Sequence, residues 1–162
     1  MFGIRNRMAR YTDHYDKTTV VLDTEFSVDV KKEYVKWCKS ENPAVVSDRL
    51  MQYVCGDRPT YAGKPWPGCE KIYFPLLLDE LWTHWVMVMA DVKLCMLVLY
   101  DCDIRVVQKQ EALDAVMRPF LEVIPKILIT SRMFHERLLH QGTICKYERQ
   151  SDLPKQDTKY GI

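Results

Sequence analysis

A histidine and an aspartate stand at the outer ends of a double apolar run, HWVMVMADVKLCMLVLYD, residues 84–101. If the two halves pair antiparallel about a turn at Val92–Lys93, His84 lies directly opposite Asp101, with Cβ atoms ~4.5–5.5 Å apart on one face. At that range a carboxylate fixes an imidazole's orientation and tautomer and stabilises its protonated form. Those are two members of a nucleophile–base–orienter set. A plainer reading stands beside it. A histidine at a strand start is commonly capped or solvated, and Val–Lys lacks the Gly or Asn that a type I′ turn needs. A longer turn about Asp91–Leu94 keeps the register, whereas a bulge breaks it.

The remaining reactive side chains are scattered. The six cysteines are Cys38, Cys55, Cys69, Cys95, Cys102 and Cys145, and the other histidines are His14, His135 and His140. No two cysteines have zinc-ligand spacing, and His135 and His140, five apart, do not share a helix face, so no metal site is expected. Cys38, Cys95 and Cys145 fall in apolar periodic stretches, no secretory signal opens the chain, and its length suffices for a core. These features favour reduced thiols over disulfides and an intracellular residence.

With 162 residues, 48% apolar and 28% charged, the chain reads as one folded domain, 1–162. Its 23 basic and 22 acidic residues give a net charge of +1, so no global field recruits nucleic acid or a membrane surface. Its apolar runs fall far short of the ~20 residues of a membrane helix. Arg5, Arg7 and Arg10 form a small basic cluster of the kind found on solvated termini.

The elements that must position the pair follow from periodicity. Thr18–Leu22 is a short β-like run. Ser27 can cap a helix through Lys39, with Val30, Tyr34, Val35 and Trp37/Cys38 at helical spacing. Asn42–Pro43 opens a second helix carrying Val46, Leu50, Tyr53 and Val54, and Gly56 ends it. Residues 57–69, with Pro59, Gly63, Pro65, Pro67 and Gly68, form a loop. Strands are expected over Lys71–Leu78, His84–Asp91 and Leu94–Asp101. The last two are apolar on both faces and so central in a covered sheet. A helical stretch from about Lys109 to His140 must be kinked or divided by Pro119 and Pro125. Thr143–Arg149 is one more strand. The order is that of an α+β domain.

The stretch KIYFPLLLDELWTHWVMVMADVKLCMLVLYDCD resembles the core of the ubiquitin-like-protein-specific (Ulp, SUMO-deconjugating) cysteine proteases. There a strand ending in Ile-Pro leads to His-Trp, then an apolar strand, then Asp-Ser. The matches are Tyr73–Pro75, His84–Trp85 and Asp101–Cys102. The tail DLPKQDTKYGI is similar to the family's Pro-Gln segment at Pro154 and Gln156, and NRMARYTDHYDKTTVVLDTEF is similar to the divergent, transposon-associated plant copies. The resemblance is strongest over 71–103, moderate over 153–162 and weak before 57.

It implies a papain-like cysteine-protease fold, present in part, with a central mixed or antiparallel sheet flanked by helices. It implies a hydrolase that cuts peptide or isopeptide bonds after the Gly-Gly tail of ubiquitin-like modifiers, with no cofactor. His84 resembles the general base, Asp101 the orienting acid and Gln156 the side-chain donor of the oxyanion hole. Trp85 resembles a wall of the tunnel that admits the modifier tail; from its neighbours alone it is equally a core aromatic. Trp37 and Trp66 are both open as the substrate-side tryptophan. The partners implied are ubiquitin-like modifiers or their conjugates, and nuclear residence is an implication of the family.

One departure matters. The family's nucleophilic Cys lies six residues after that Gln, where this chain has Ile162, and Gly161 stands at the family's Asp. An apolar side chain cannot replace a thiolate, so the chain is expected to be an inactive, C-terminally truncated peptidase domain. A non-catalytic modifier-binding module and a degenerate transposon-derived product are the alternatives. Cys102, on the strand face opposite Asp101, and Cys145, in a strand, are poor substitutes. The helix that the family's Cys opens would cover the 84–101 hairpin. Baring about 500 Å² there forfeits on the order of 12 kcal/mol, so a marginal or aggregation-prone chain is expected.

Overall fold

The computed structural model describes residues 16–40, 45–60, 63–79, 84–133, 145–150 and 153. Along them run β1 (Thr19–Val21), α1 (Thr24–Lys39), α2 (Asp48–Cys55), β2 (Lys71–Leu77), β3 (Trp85–Asp91), β4 (Met96–Tyr100), α3 (Gln110–Thr130) and β5 (Lys146–Gln150). The strands form one five-stranded sheet in chain order. β2, β3 and β4 are an antiparallel meander, and β1 and β5 join its two edges in parallel. A parallel neighbour needs a crossover of a dozen or more residues, and the helices supply it: α1 and α2 between β1 and β2, α3 between β4 and β5. The expected α+β architecture, a mixed sheet flanked by helices, is what these elements build.

The core lies on one face of the sheet. Phe74 of β2 meets Phe26 of α1 edge-on at 5.2 Å and stacks on Phe120 of α3 at 5.4 Å, so both helical crossovers cover the same side. Val86, Val88 and Ala90 of β3 and Leu97 and Leu99 of β4 are buried beneath them. The hairpin expected to lie bare on this face is therefore covered by the chain's own helices. α3 does most of this, burying Leu113, Met117, Phe120, Val123, Ile124, Ile127 and Leu128. Trp66 is wholly buried in this core, which removes it as a substrate-side tryptophan.

Several boundaries differ from the sequence reading. Asp23, not Ser27, caps α1, its side chain accepting from the Phe26 N–H at 3.2 Å. Ser27 lies buried within the first turns, and its hydroxyl donates to the Pro75 carbonyl. α2 begins after Ser47, so Val46 precedes it, and Asn42 and Pro43 lie outside the described residues. Gly56 does end α2, in the left-handed region at φ 83°. α3 is one helix with Pro119 and Pro125 inside it, both buried, and it stops at Thr130. Burial of its long apolar face outweighs the hydrogen bonds that two prolines remove. Pro75 is tolerated in β2 because it lies beyond Tyr73, the last residue paired to β1. β5 spans Lys146–Gln150 rather than Thr143–Arg149, with residues 134–144 outside the description.

Candidate active site

The β3–β4 connection sets the register of the pair. It is a four-residue turn, Val92–Cys95, closed by Asp91↔Met96 and held by the Asp91 side chain, which accepts from the Leu94 N–H at 2.8 Å. Cys95 takes the left-handed conformation at φ 48°. Compared with a turn at Val92–Lys93, the pairing slips by two residues. Side chains alternate with period two, so a slip of two keeps every residue on its face. His84 and Asp101 are then diagonal neighbours rather than direct opposites, still on the core face.

The diagonal is short enough. His84 Nε2 stands 2.7 Å from Asp101 Oδ1, both side chains buried. His84 sits one residue before β3. Its carbonyl accepts from the Leu78 N–H at 3.0 Å, and its own N–H donates to Asp79 Oδ1 at 3.2 Å. The Leu78 backbone and the Asp79 carboxylate thus pin the residue that carries the ring.

Asp101 follows β4 directly, and among the described residues every side-chain hydrogen bond it makes is with a donor. Oδ1 accepts from His84 Nε2 and from the Asp103 N–H at 2.9 Å. Oδ2 accepts from Arg149 Nε at 2.9 Å and from Arg149 Nη2. Burial by itself pushes this carboxyl up. The Arg149 hydrogen bonds, the Asp103 N–H, the imidazole and the guanidinium charge outweigh it and hold Asp101 below the usual carboxylate range. An ionised carboxylate only accepts, so Nε2 carries the ring proton and the neutral ring keeps its lone pair on Nδ1. Nearby, Asp103 is fixed by the Arg105 fork at 2.7 and 2.8 Å and is held down at about 2, chiefly by those bonds.

Arg149 was not singled out in the sequence. It lies on β5 opposite Leu99, on the core face, and its remaining donors reach the carbonyls of Val107 at 2.7 Å and Ile104 at 3.3 Å. Alternation within KYERQ places Tyr147 and Arg149 on one side, but nothing local names a partner 48 residues away.

Trp85 is 45% exposed and is no core aromatic. It borders an open groove of about 660 Å³, lined also by Val28 and Lys31 of α1 and by Leu77, Leu78 and Asp79 at the end of β2. Desolvation there pushes the Lys31 amine down. Gln156 lies outside the described residues, as do Gly161 and Ile162.

All six cysteines are free thiols. Cys145 Sγ lies 3.0 Å from Cys95 Sγ and donates to the Cys95 carbonyl at 2.6 Å, at the turn end of the hairpin. Six residues of strand, roughly 20 Å at ~3.3 Å each, separate that end from Asp101. Cys102 lies in the bend after β4, half-buried. Among the described residues no group of three or more His, Cys, Asp or Glu converges as a metal site would require. No helix among them is long and apolar enough to cross a membrane.

An oriented imidazole whose Nδ1 meets no hydrogen-bond partner among the described residues can take a proton from a nucleophile or give one to a leaving group. Comparison with known proteins gives this geometry a context. No curated protein is significantly similar to the chain. Among solved structures it is similar to a SUMO protease Ulp1 whose catalytic cysteine is oxidised to a sulfonic acid, at 14% identity and a TM-score of 0.38. The match covers 83% of this chain and 57% of that one, so the chain spans little more than half the length of the solved relative. The family model described as the Ulp1 protease family, C-terminal catalytic domain, matches residues 1–160. With nearly its whole length matched, the chain belongs to the Ulp1 protease family.

Proposed function

We propose that this chain carries the base-and-acid half of a cysteine peptidase centre directed at conjugates of ubiquitin-like modifiers. In this reading His84 is the general base acting through Nδ1, and Asp101 orients it and stabilises the imidazolium. Gln156 donates to the oxyanion, and Trp85 flanks the modifier's Gly-Gly tail. The observation that carries it is the 2.7 Å contact from His84 Nε2 to Asp101 Oδ1 in a chain of this family. A thiol is the remaining requirement. Ile162 stands where the resemblance puts it and Cys145 is engaged at the far end of the hairpin, so in this reading these 162 residues do not hydrolyse the modifier bond themselves. The open groove beside the exposed Trp85 favours retained binding of a modifier without catalysis.

Two assays test this together. A ubiquitin-like modifier with an electrophilic C-terminus is incubated with the chain and covalent adducts are sought by mass spectrometry; none is expected. Intact SUMO and ubiquitin are then titrated against isotopically labelled chain, with shifts expected at Trp85 and His84. A covalent adduct overturns the inactivity. Absence of any shift up to ~1 mM, about −4 kcal/mol, overturns modifier recognition.

A further inference from the structure

A carboxylate as buried as Asp101 can exist in two protonation states with opposite consequences for His84. Ionised, it accepts from Nε2–H and leaves Nδ1 as the base. Protonated, it donates to Nε2, moves the ring proton to Nδ1 and leaves no lone pair on the side facing away from the acid. What selects the state is therefore what selects the basic nitrogen. Among the described residues, the groups facing the pair are Asp79 at the end of β2, Asp103 with its partner Arg105 in the loop after β4, and Arg149 from β5. Only Arg149 among these brings a cation into contact with the carboxylate. Its Nε and Nη2 both take Oδ2, which leaves Oδ1 for the ring and the Asp103 N–H. Its Nη1 is anchored on the Val107 carbonyl at 2.7 Å, so the guanidinium plane is set from two directions.

We propose that Arg149 is the positioning residue of this centre: from the edge strand β5 it keeps Asp101 ionised and turned toward His84, and so assigns the basic nitrogen of the imidazole. This rests on the peptidase reading of the pair, but its chemistry is readable without turnover. An ammonium at position 149 supplies charge without the two-pronged geometry, so lysine replaces the guanidinium only in part.

The test is nuclear magnetic resonance on these 162 residues, following the Asp101 carboxyl carbon and the His84 ring nitrogens against pH. The native chain is expected to show a single Nε2–H tautomer and a low Asp101 midpoint. In R149Q the Asp101 midpoint is expected to rise by about one unit or more and the Nε2–H signature to weaken, with R149K between the two. E148Q, an exposed neighbour on the same strand, is expected to match the native chain. If R149Q does not fold, R149K decides on the same readouts. A midpoint within roughly 0.3 unit of native and an unchanged tautomer, in R149Q or failing that in R149K, overturns the proposal. Modifier titration separates the two claims. A working clamp in a chain that ignores modifiers sinks the peptidase reading alone. Modifier binding by a chain indifferent to residue 149 sinks the clamp alone.

Discussion

Asp101 is the residue on which the local chemistry converges, because it is buried and yet held ionised by His84, Asp103 and Arg149. Replacing it by asparagine conserves volume but leaves the Arg149 guanidinium facing an amide. Breaking one side of such a pair costs 3–5 kcal/mol when both groups are fully enclosed. Arg149 retains 19% exposure, which puts the expected loss for D101N at about 3 kcal/mol in urea unfolding. The pH dependence has a definite sign. Asp101 and Asp103 are both lowered by folding, so their contribution is complete above the ordinary carboxylate range. It is lost as pH falls below ~4, for Asp103 down through about 2. The urea midpoint is expected to be flat above pH 5 and to fall below pH 4, with a shallower fall in D101N. An equal fall in both would remove Asp101 from this account. The His–Asp pair itself was legible in the sequence because face, unlike exact register, survives a two-residue slip. Arg149 was not, since a side chain on a short edge strand announces its face but not its distant partner.

At the scale of elements, the sequence spoke clearly where one residue type is nearly obligatory. Gly56 is the case in point. It ends α2 at φ 83°, its N–H returning to the carbonyls of Gln52 and Tyr53. A Cβ there would meet Pro65 Cδ at 2.7 Å. Left-handed backbone costs a non-glycine residue about 1 kcal/mol, and the proline ring must also move. G56A is therefore expected to lose about 2 kcal/mol, or roughly 4–8 °C of melting temperature for a chain of this length, by circular dichroism. A melting temperature equal to native would mean that the loop carrying Pro65 yields freely. The sequence was less informative where two residue types compete. Asp23 and Ser27 are both good caps, and the choice fell to the residue that leaves the Ser27 hydroxyl free for the Pro75 carbonyl of the sheet. The hairpin turn was ambiguous for a similar reason. No Asn–Gly fixed a two-residue turn, and Asp91 could close a four-residue one through the Leu94 N–H.

For the whole molecule, the decisive element is α3, whose prolines argued for a kink or a division and which stays undivided under its apolar face. Local rules count the two lost hydrogen bonds, but only the assembled sheet shows how much surface the unbroken helix covers. That cover makes the thiols unequal. Cys38 and Cys55 are exposed, whereas Cys69, Cys95 and Cys145 are buried. Burial pushes the Cys69 thiol up to about 11, and Cys145 is raised by its contact with Cys95 and then by burial. The thiolate is the reacting species, so protonation and enclosure act in the same direction at Cys69 and Cys145, whereas contact with Cys145 lowers the Cys95 thiol and enclosure alone protects it. A disulfide reagent at pH 8 is expected to titrate Cys38 and Cys55 promptly and Cys102 more slowly. The three buried thiols should react at least ~100-fold more slowly than Cys38, at the rate at which the domain opens. Urea should bring all six to one rate. Prompt reaction of Cys69, Cys95 or Cys145 in the native chain would show that the helical cover opens easily. The sheet that holds His84 against Asp101 would then be far less rigid than the pair requires.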